Sequence, residues 1–175
     1  MSVHRRTFFL SGGTALALTL ALAVGSCSSP AGSGPVGRLV SRTDCKSFDA
    51  PGSGPATAPT SGQECVEYDY DGRSVLRLRH INAGFNCCPG TISADIEVSA
   101  GRILIRERES SSLCDCDCLY DIGYEIAGLT PGTYRLTVVG PYQPEGDPPL
   151  EFVADLGQAA SGTLCVERTR YPWGF

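Results

Sequence analysis

The chain has 175 residues, 42% of them hydrophobic, with nine cysteines and a formal net charge of −5. That length suits one compact domain with appendages. The acidic balance, with no basic cluster beyond the first few residues, excludes nucleic acid as a partner.

Residues 1–26 read as a lipoprotein signal peptide. His4, Arg5 and Arg6 form a basic start, and Thr14 to Val24 is an unbroken small and aliphatic run. The run is short of the roughly 20 apolar residues that a membrane-spanning helix needs. "RRTFFL" (5–10) resembles a twin-arginine export signal, and "VGSC" (24–27) resembles a lipobox, which implies acylation of Cys27. The alternative is an ordinary secretory signal cut after Ala23. Cysteine arithmetic favours lipid: nine is odd for an exported chain, and assigning Cys27 to an acyl anchor leaves eight that can all pair. The expected product is a palmitate-type, membrane-anchored lipoprotein facing the extracytoplasmic side. Ser28 fits outer-membrane sorting in a cell with two membranes. Removing residues 1–26 takes away Arg5 and Arg6 and leaves 12 Lys+Arg against 19 Asp+Glu, a formal −7.

Residues 27–64 read as the lipidated cysteine followed by a tether. Of the 36 positions from 28 to 63, 22 are Gly, Pro, Ser or Ala, too little apolar surface to offset the entropy of ordering. One island, "GRLVSRTDCKSF" (37–48), interrupts it, and Cys45 suggests that the island is pinned to the domain.

Residues 65–175 show short alternating runs bounded by turn residues, which predict an all-β domain of about eight strands. In chain order these are 65–70, 74–82, 91–99, 102–109, 119–129, 133–140, 150–156 and 163–171, with Asp71-Gly72, Ala100-Gly101 and Pro131-Gly132 marking turns. Alternation places Leu76, Leu78 and His80 on one face and Arg77 and Arg79 on the other. Glu107 and Glu109 extend the Ile103/Ile105 face and are expected at a charged strand end. "DYDG" (69–72) lacks the remaining positions of a calcium loop and reads as a hairpin turn. Tyr171, Trp173 and Phe175 are expected to tuck against the core or to meet a partner.

"IAGLTPGTYRLTVV" (126–139) resembles the L-x-P-G-x-Y turn of extracellular immunoglobulin-like and prealbumin-like β-sandwiches. That resemblance implies a disulfide-stabilised, immunoglobulin-like β-sandwich with Tyr134 packed across its end. The wider order "FNCCPG…CDCDCLYDIGYEI…GTY" is similar to uncharacterised bacterial envelope lipoproteins and implies no activity.

The eight domain cysteines allow three readings. As disulfides, in an oxidising compartment, Cys87 and Cys88 pair with two of Cys114, Cys116 and Cys118. The third reaches Cys165, and Cys45 pairs with Cys65. As thiolates, Cys87, Cys88, Cys114, Cys116 and Cys118, with His80 as a nitrogen ligand, would gather Zn or Cu; the paired Cys-x₂-Cys spacing of zinc sites is absent. Redox catalysis lacks a Cys-x-x-Cys motif. His80, the one histidine after the signal, is expected as a buried imidazole bonded to backbone or to Asn82. No catalytic set can be assembled around it, and no nucleophile elbow exists. The expected role is therefore a non-enzymatic interaction or structural module with an envelope protein or glycan partner, the metal-binding protein second and an envelope enzyme third.

Overall fold

The computed structural model describes residues 34–48, 59–111, 113–143 and 145–170. The signal peptide, Cys27 and the aromatics Tyr171, Trp173 and Phe175 lie outside the described residues. Within them the chain forms nine strands and no helix: β1 (Val36–Arg42), β2 (Gln63–Tyr70), β3 (Val75–Asn86), β4 (Ile92–Ser99), β5 (Arg102–Glu109), β6 (Asp117–Ala127), β7 (Thr133–Val139), β8 (Leu150–Asp155) and β9 (Ser161–Glu167). They make a five-stranded sheet, β1-β6-β3-β2-β9, and a four-stranded sheet, β4-β5-β7-β8. This is the expected immunoglobulin-like sandwich. β5 and β7 pair in parallel because the intervening β6 crosses to the other sheet, giving the chain length to return in the same direction.

The ninth strand lies in the segment read as tether. β1 pairs antiparallel with β6, Val36 opposite Ala127. Beyond it, the Thr43 and Lys46 amides donate to the carbonyls of Asp121 and Leu119. Few side chains of this strand are buried because it is an edge, and only Gly37 and Leu39 turn inward. Gly37 is required there: a β-carbon would stand 2.4 Å from Ile96 Cγ2 of β4, in the opposite sheet.

Turn chemistry behaves as the residues dictate. The Asp71 carboxylate accepts from the amides of Arg73, Ser74 and Val75 at 2.8–3.0 Å, and those bonds hold it below the ordinary carboxylate range. Gly72 and Gly101 take φ of 75° and 69°, the left-handed region that glycine enters without steric cost. Tyr134 reaches back to donate to the Thr130 carbonyl at 2.9 Å.

Core packing comes from the inward stripes of both sheets, among them Leu76, Leu78, Ile103, Ile105, Ile122, Ile126, Leu136 and Leu150. One irregularity decides the lower half of β3. His80 stands opposite Ile122 and Ala83 opposite Tyr120, so two β3 residues face the single Asp121. This bulge reverses the inside–outside parity. Upstream the even positions 76, 78 and 80 face inward; downstream the odd positions Ala83 and Phe85 do. Asn82 absorbs the kink at φ 63°, a conformation its short polar side chain tolerates through local hydrogen bonds.

Four disulfides close the domain: Cys45–Cys118, Cys65–Cys165, Cys87–Cys116 and Cys88–Cys114. Cys87 and Cys88 do take two of the three clustered sulfurs. The other two pairings differ from expectation. Cys65 and Cys165 are direct partners in the β2–β9 ladder, with Cα atoms 4.0 Å apart. Cys45, carried alongside β6 by the extension of β1, meets Cys118 instead. Which strands are neighbours decided the pairing.

Two outcomes are expected. Gly37→Val should lower stability by about 1–3 kcal/mol, the usual cost of overpacking, while Gly72→Asn stays near wild type in urea melts. Alkylation of the denatured, unreduced chain should leave all eight domain cysteines unlabelled. Recovery of a Cys45–Cys65 cross-linked peptide would contradict the pairing described.

Candidate functional site

The most concentrated chemistry lies between the sheets. Glu64 on β2 shares the inward stripe of Val66 and Tyr70, His80 that of Leu76 and Leu78, Glu107 that of Ile103 and Ile105, and Tyr124 that of Ile122 and Ile126. The His80 ring, 1% exposed, bonds Glu64 Oε1 through Nε2 and Glu107 Oε1 through Nδ1, each at 2.7 Å. Tyr124 donates its hydroxyl to Glu107 Oε1 at 2.5 Å. Arg168, just past β9, donates Nε to Glu64 Oε2 at 2.5 Å and Nη1 to the Pro148 carbonyl at 2.6 Å; its Nη2 also contacts Glu64 Oε2.

Both imidazole nitrogens face carboxylate oxygens, so both must donate and the ring is an imidazolium. Burial alone would depress the His80 pKa. The charge of Glu107 and the bonds to both carboxylates outweigh it and push the value up to about 10. Burial would likewise raise Glu64, yet His80 and Arg168 hold it below the ordinary range. Tyr124 is driven far above the usual phenol value by burial and then by the charge of Glu107. The row Arg168–Glu64–His80–Glu107 alternates in sign and sums to zero, which is how charges survive in a low-dielectric interior. Glu107 Oε2 is buried with no hydrogen-bond partner.

This arrangement fastens the sheets. His80 has no lone pair to act as a base or metal ligand, and none of the five residues lines either surface groove. The expectation of a buried imidazole holds, but its partners are carboxylates, with neither backbone nor Asn82 involved. Glu107 is in the core, not at a charged strand end; Glu109 is the residue nearer the rim, accepting from the Asn86 amide at 2.9 Å and from the Tyr142 hydroxyl.

A second polar cluster surrounds the β3 bulge. The Asp121 carboxylate takes Lys46 Nζ at 2.8 Å, Arg79 Nη2 at 2.7 Å and the Asn82 amide at 3.1 Å. These bonds hold Asp121 below its ordinary pKa despite burial. Asn82 donates to the carbonyls of Thr60 and Gln63 and accepts from Lys46. The cluster pins both flanks of the Gly/Pro-rich segment to the five-stranded sheet.

The third feature is the cysteine-rich end. Of the five sulfurs considered as thiolates, four form the two bridges Cys87–Cys116 and Cys88–Cys114, and Cys118 is joined to Cys45. They are disulfide sulfurs, and His80 is held elsewhere by its two carboxylates, so the set is not assembled as a ligand sphere. Asn86, 3% exposed, organises this end. Its Nδ2 donates to the Cys114 and Cys116 carbonyls at 2.6 and 2.9 Å, and its Oδ1 accepts from the Cys88 and Cys114 amides at 2.8 and 3.2 Å. Asp117 nearby has both carboxylate oxygens buried without partners, and burial followed by the charge of Glu109 pushes its pKa up to about 6.

Two open grooves mark the surface. One, of about 390 Å³, runs over β2, β3 and β9 past Glu67, Tyr68, Asp69, Arg77 and Arg79. The other, of about 520 Å³, is lined by Arg42, Asp44, Cys45, Cys87, Cys88, Tyr120 and their neighbours at the cysteine-rich end.

No protein-family model matches the chain, and no curated protein or solved structure matches it.

Sequence reasoning passed over Glu64, Tyr124, Arg168, Asp121 and Asn86. A signal existed for three members of the core row: the inward stripes 64/66/68/70 and 103/105/107 each contain one carboxylate, and 122/124/126 sets one phenol between two isoleucines. Four polar interruptions on four strands, counting His80, are best satisfied by one another. Arg168 and Asn86 carry no such mark.

Removing His80 leaves two buried carboxylates facing each other, so His80→Ala should cost about 3–5 kcal/mol. The pH dependence follows from the shifts. A raised His80 value makes its contribution fully present below about pH 6.5 and lost as pH rises through about 10,. The lowered Glu64 value makes its contribution present above about pH 4.5 and lost on acidification. Urea midpoints of the wild type should therefore fall steadily from pH 7 to 10, and a folded His80→Gln variant should lack that slope.

Proposed function

We propose that the chain is a lipid-anchored cell-envelope protein whose sandwich domain serves as a non-enzymatic interaction or structural module. The observation that carries this reading is the sulfur count. Nine cysteines are present, eight are consumed pairwise in four bridges within the domain, and Cys27 is left over at the end of the lipobox-like "VGSC". Four bridges suit an oxidising, extracytoplasmic compartment. An acylated Cys27 would hold the domain on the extracytoplasmic face of a membrane, the outer one where the cell has two.

The interior favours a module over an enzyme. Each ionisable group of the core row is bonded to another member, and the row is sealed from both grooves. Recognition then falls to the surface. The 390 Å³ groove is lined on the outer face of the five-stranded sheet by exposed Asp69, Arg77 and Arg79 with half-buried Glu67, a charged lining that suits a polar partner such as an envelope protein or glycan.

The test is metabolic labelling of the full chain with a palmitate analogue, with membrane fractionation. The wild type should carry label and sediment with membranes, and Cys27→Ala should lose the label and appear in the soluble fraction. A mature N-terminus at Val24, or unlabelled protein, would defeat the anchor reading.

A further inference from the structure

We propose that the outer bridge of the cysteine-rich end, Cys88–Cys114, is a reversible two-electron redox site that exchanges with dithiols while the domain stays folded. This goes beyond the module reading and does not depend on the lipid anchor.

Three observations converge. The first is position. The β3–β6 ladder ends at the Asn86–Asp117 pair. Cys87–Cys116 is the next rung, tied by a Cys87 amide to Cys116 carbonyl bond of 2.9 Å, and Cys87 packs on the core. Cys88–Cys114 lies one step further out, with both residues partly exposed. Both rungs join the same two short loops. Once the inner rung is closed, the outer one restricts only the few residues between them, so it adds little loop-closure constraint. Opening it releases little of the fold.

The second is preorganisation. Asn86 holds both loops through four backbone hydrogen bonds, two of them to Cys114 and one to Cys88. Those bonds use main-chain atoms and do not require the sulfurs to be joined. With the bridge open, Cys88 and Cys114 stay positioned for reclosure, their Cα atoms 5.4 Å apart. A purely structural staple needs no such independent support.

The third is access. Both rungs reach the surface: Cys87 and Cys88 line the open groove of about 520 Å³, Cys116 is exposed and Cys114 half-buried. Leu113, 81% exposed, stands at the rim beside Cys114. The choice between the rungs therefore rests on position and preorganisation. An incoming chain bearing cysteines finds room and an apolar contact there. By contrast, Cys65 of the ladder bridge is fully buried.

The exchange balances as follows. A thiolate of the incoming dithiol bonds to one sulfur of Cys88–Cys114, that S–S bond breaks, and the other domain sulfur leaves as thiolate and takes a proton. The second thiolate of the dithiol then attacks the mixed disulfide and frees the remaining domain sulfur. Two electrons and two protons pass to Cys88 and Cys114, and the dithiol becomes a disulfide. The event is stoichiometric, one per domain.

The experiment titrates the full mature chain anaerobically with graded ratios of reduced to oxidised dithiothreitol. Thiols are trapped by alkylation and mapped by peptide mass, with tyrosine near-UV circular dichroism read in parallel. The expected result is a plateau with alkyl groups on Cys88 and Cys114 alone among the domain cysteines, an unchanged spectrum, and full reclosure by oxidised dithiothreitol. Asn86→Ala should open at a dithiol ratio about tenfold lower, some 30 mV for a two-electron couple. Cys114→Ser should form a mixed disulfide with glutathione at Cys88. First labelling at another bridge, labelling only together with loss of the spectrum, or no glutathione adduct on folded Cys114→Ser would each overturn the proposal.

Discussion

The two sheets depend on one imidazolium. Apolar stripes supply most of the drive for burying one sheet against the other, but burial is non-directional and tolerates sliding. His80, held by Glu64 within its own sheet and by Glu107 from the opposite one, has directional bonds that tolerate little. A charge of each sign is useless in that interior without the next, so Arg168 must cap Glu64 and Tyr124 must cap Glu107. The row draws on β2, β3, β5, β6 and the segment after β9, and so requires most of the fold to be assembled before it is satisfied. Replacing it wholesale with well-packed apolar residues could match its stability; what would be lost is the constraint on how the sheets meet.

The β3 bulge is the device that makes this compatible with a long central strand. Without the extra residue, the parity that brings His80 inward would also bring Asn82 and turn Ala83 and Phe85 outward. With it, the upper half of β3 serves the charged row and the lower half the aromatic packing of Phe85 against Tyr120. The cost of an asparagine at positive φ is offset by the bonds that Asn82 makes to Thr60, Gln63 and Lys46. Those same bonds anchor the chain on either side of its Gly/Pro-rich stretch, which is how so polar a segment comes to contribute an edge strand.

The cysteine-rich end follows a different logic. There the sequence crowds sulfurs into loops that no strand pairing orders, and a single buried asparagine does the ordering. Cross-links and hydrogen bonds are layered: Asn86 sets the two loops, the inner rung continues the ladder, and the outer rung lies beyond it at the surface.

Much of the architecture is legible in the sequence. Alternation, turn dipeptides and the L-x-P-G-x-Y segment predicted the sandwich and eight of its nine strands, because a strand half-buried in a sandwich must alternate. Val36–Arg42 was missed because an edge strand buries few side chains and leaves a faint pattern. Glu107 was assigned to a strand end because local pattern cannot say whether a carboxylate has a cation waiting across the interface. Cys45 and Cys165 were given each other's partners because disulfide choice follows strand neighbours, and sequence order does not report them. By itself, the sequence determined which residues turn inward along each strand, since that depends on a two-residue period. Only the tertiary structure decided which inward residues meet, because that depends on the order of strands and on one bulge.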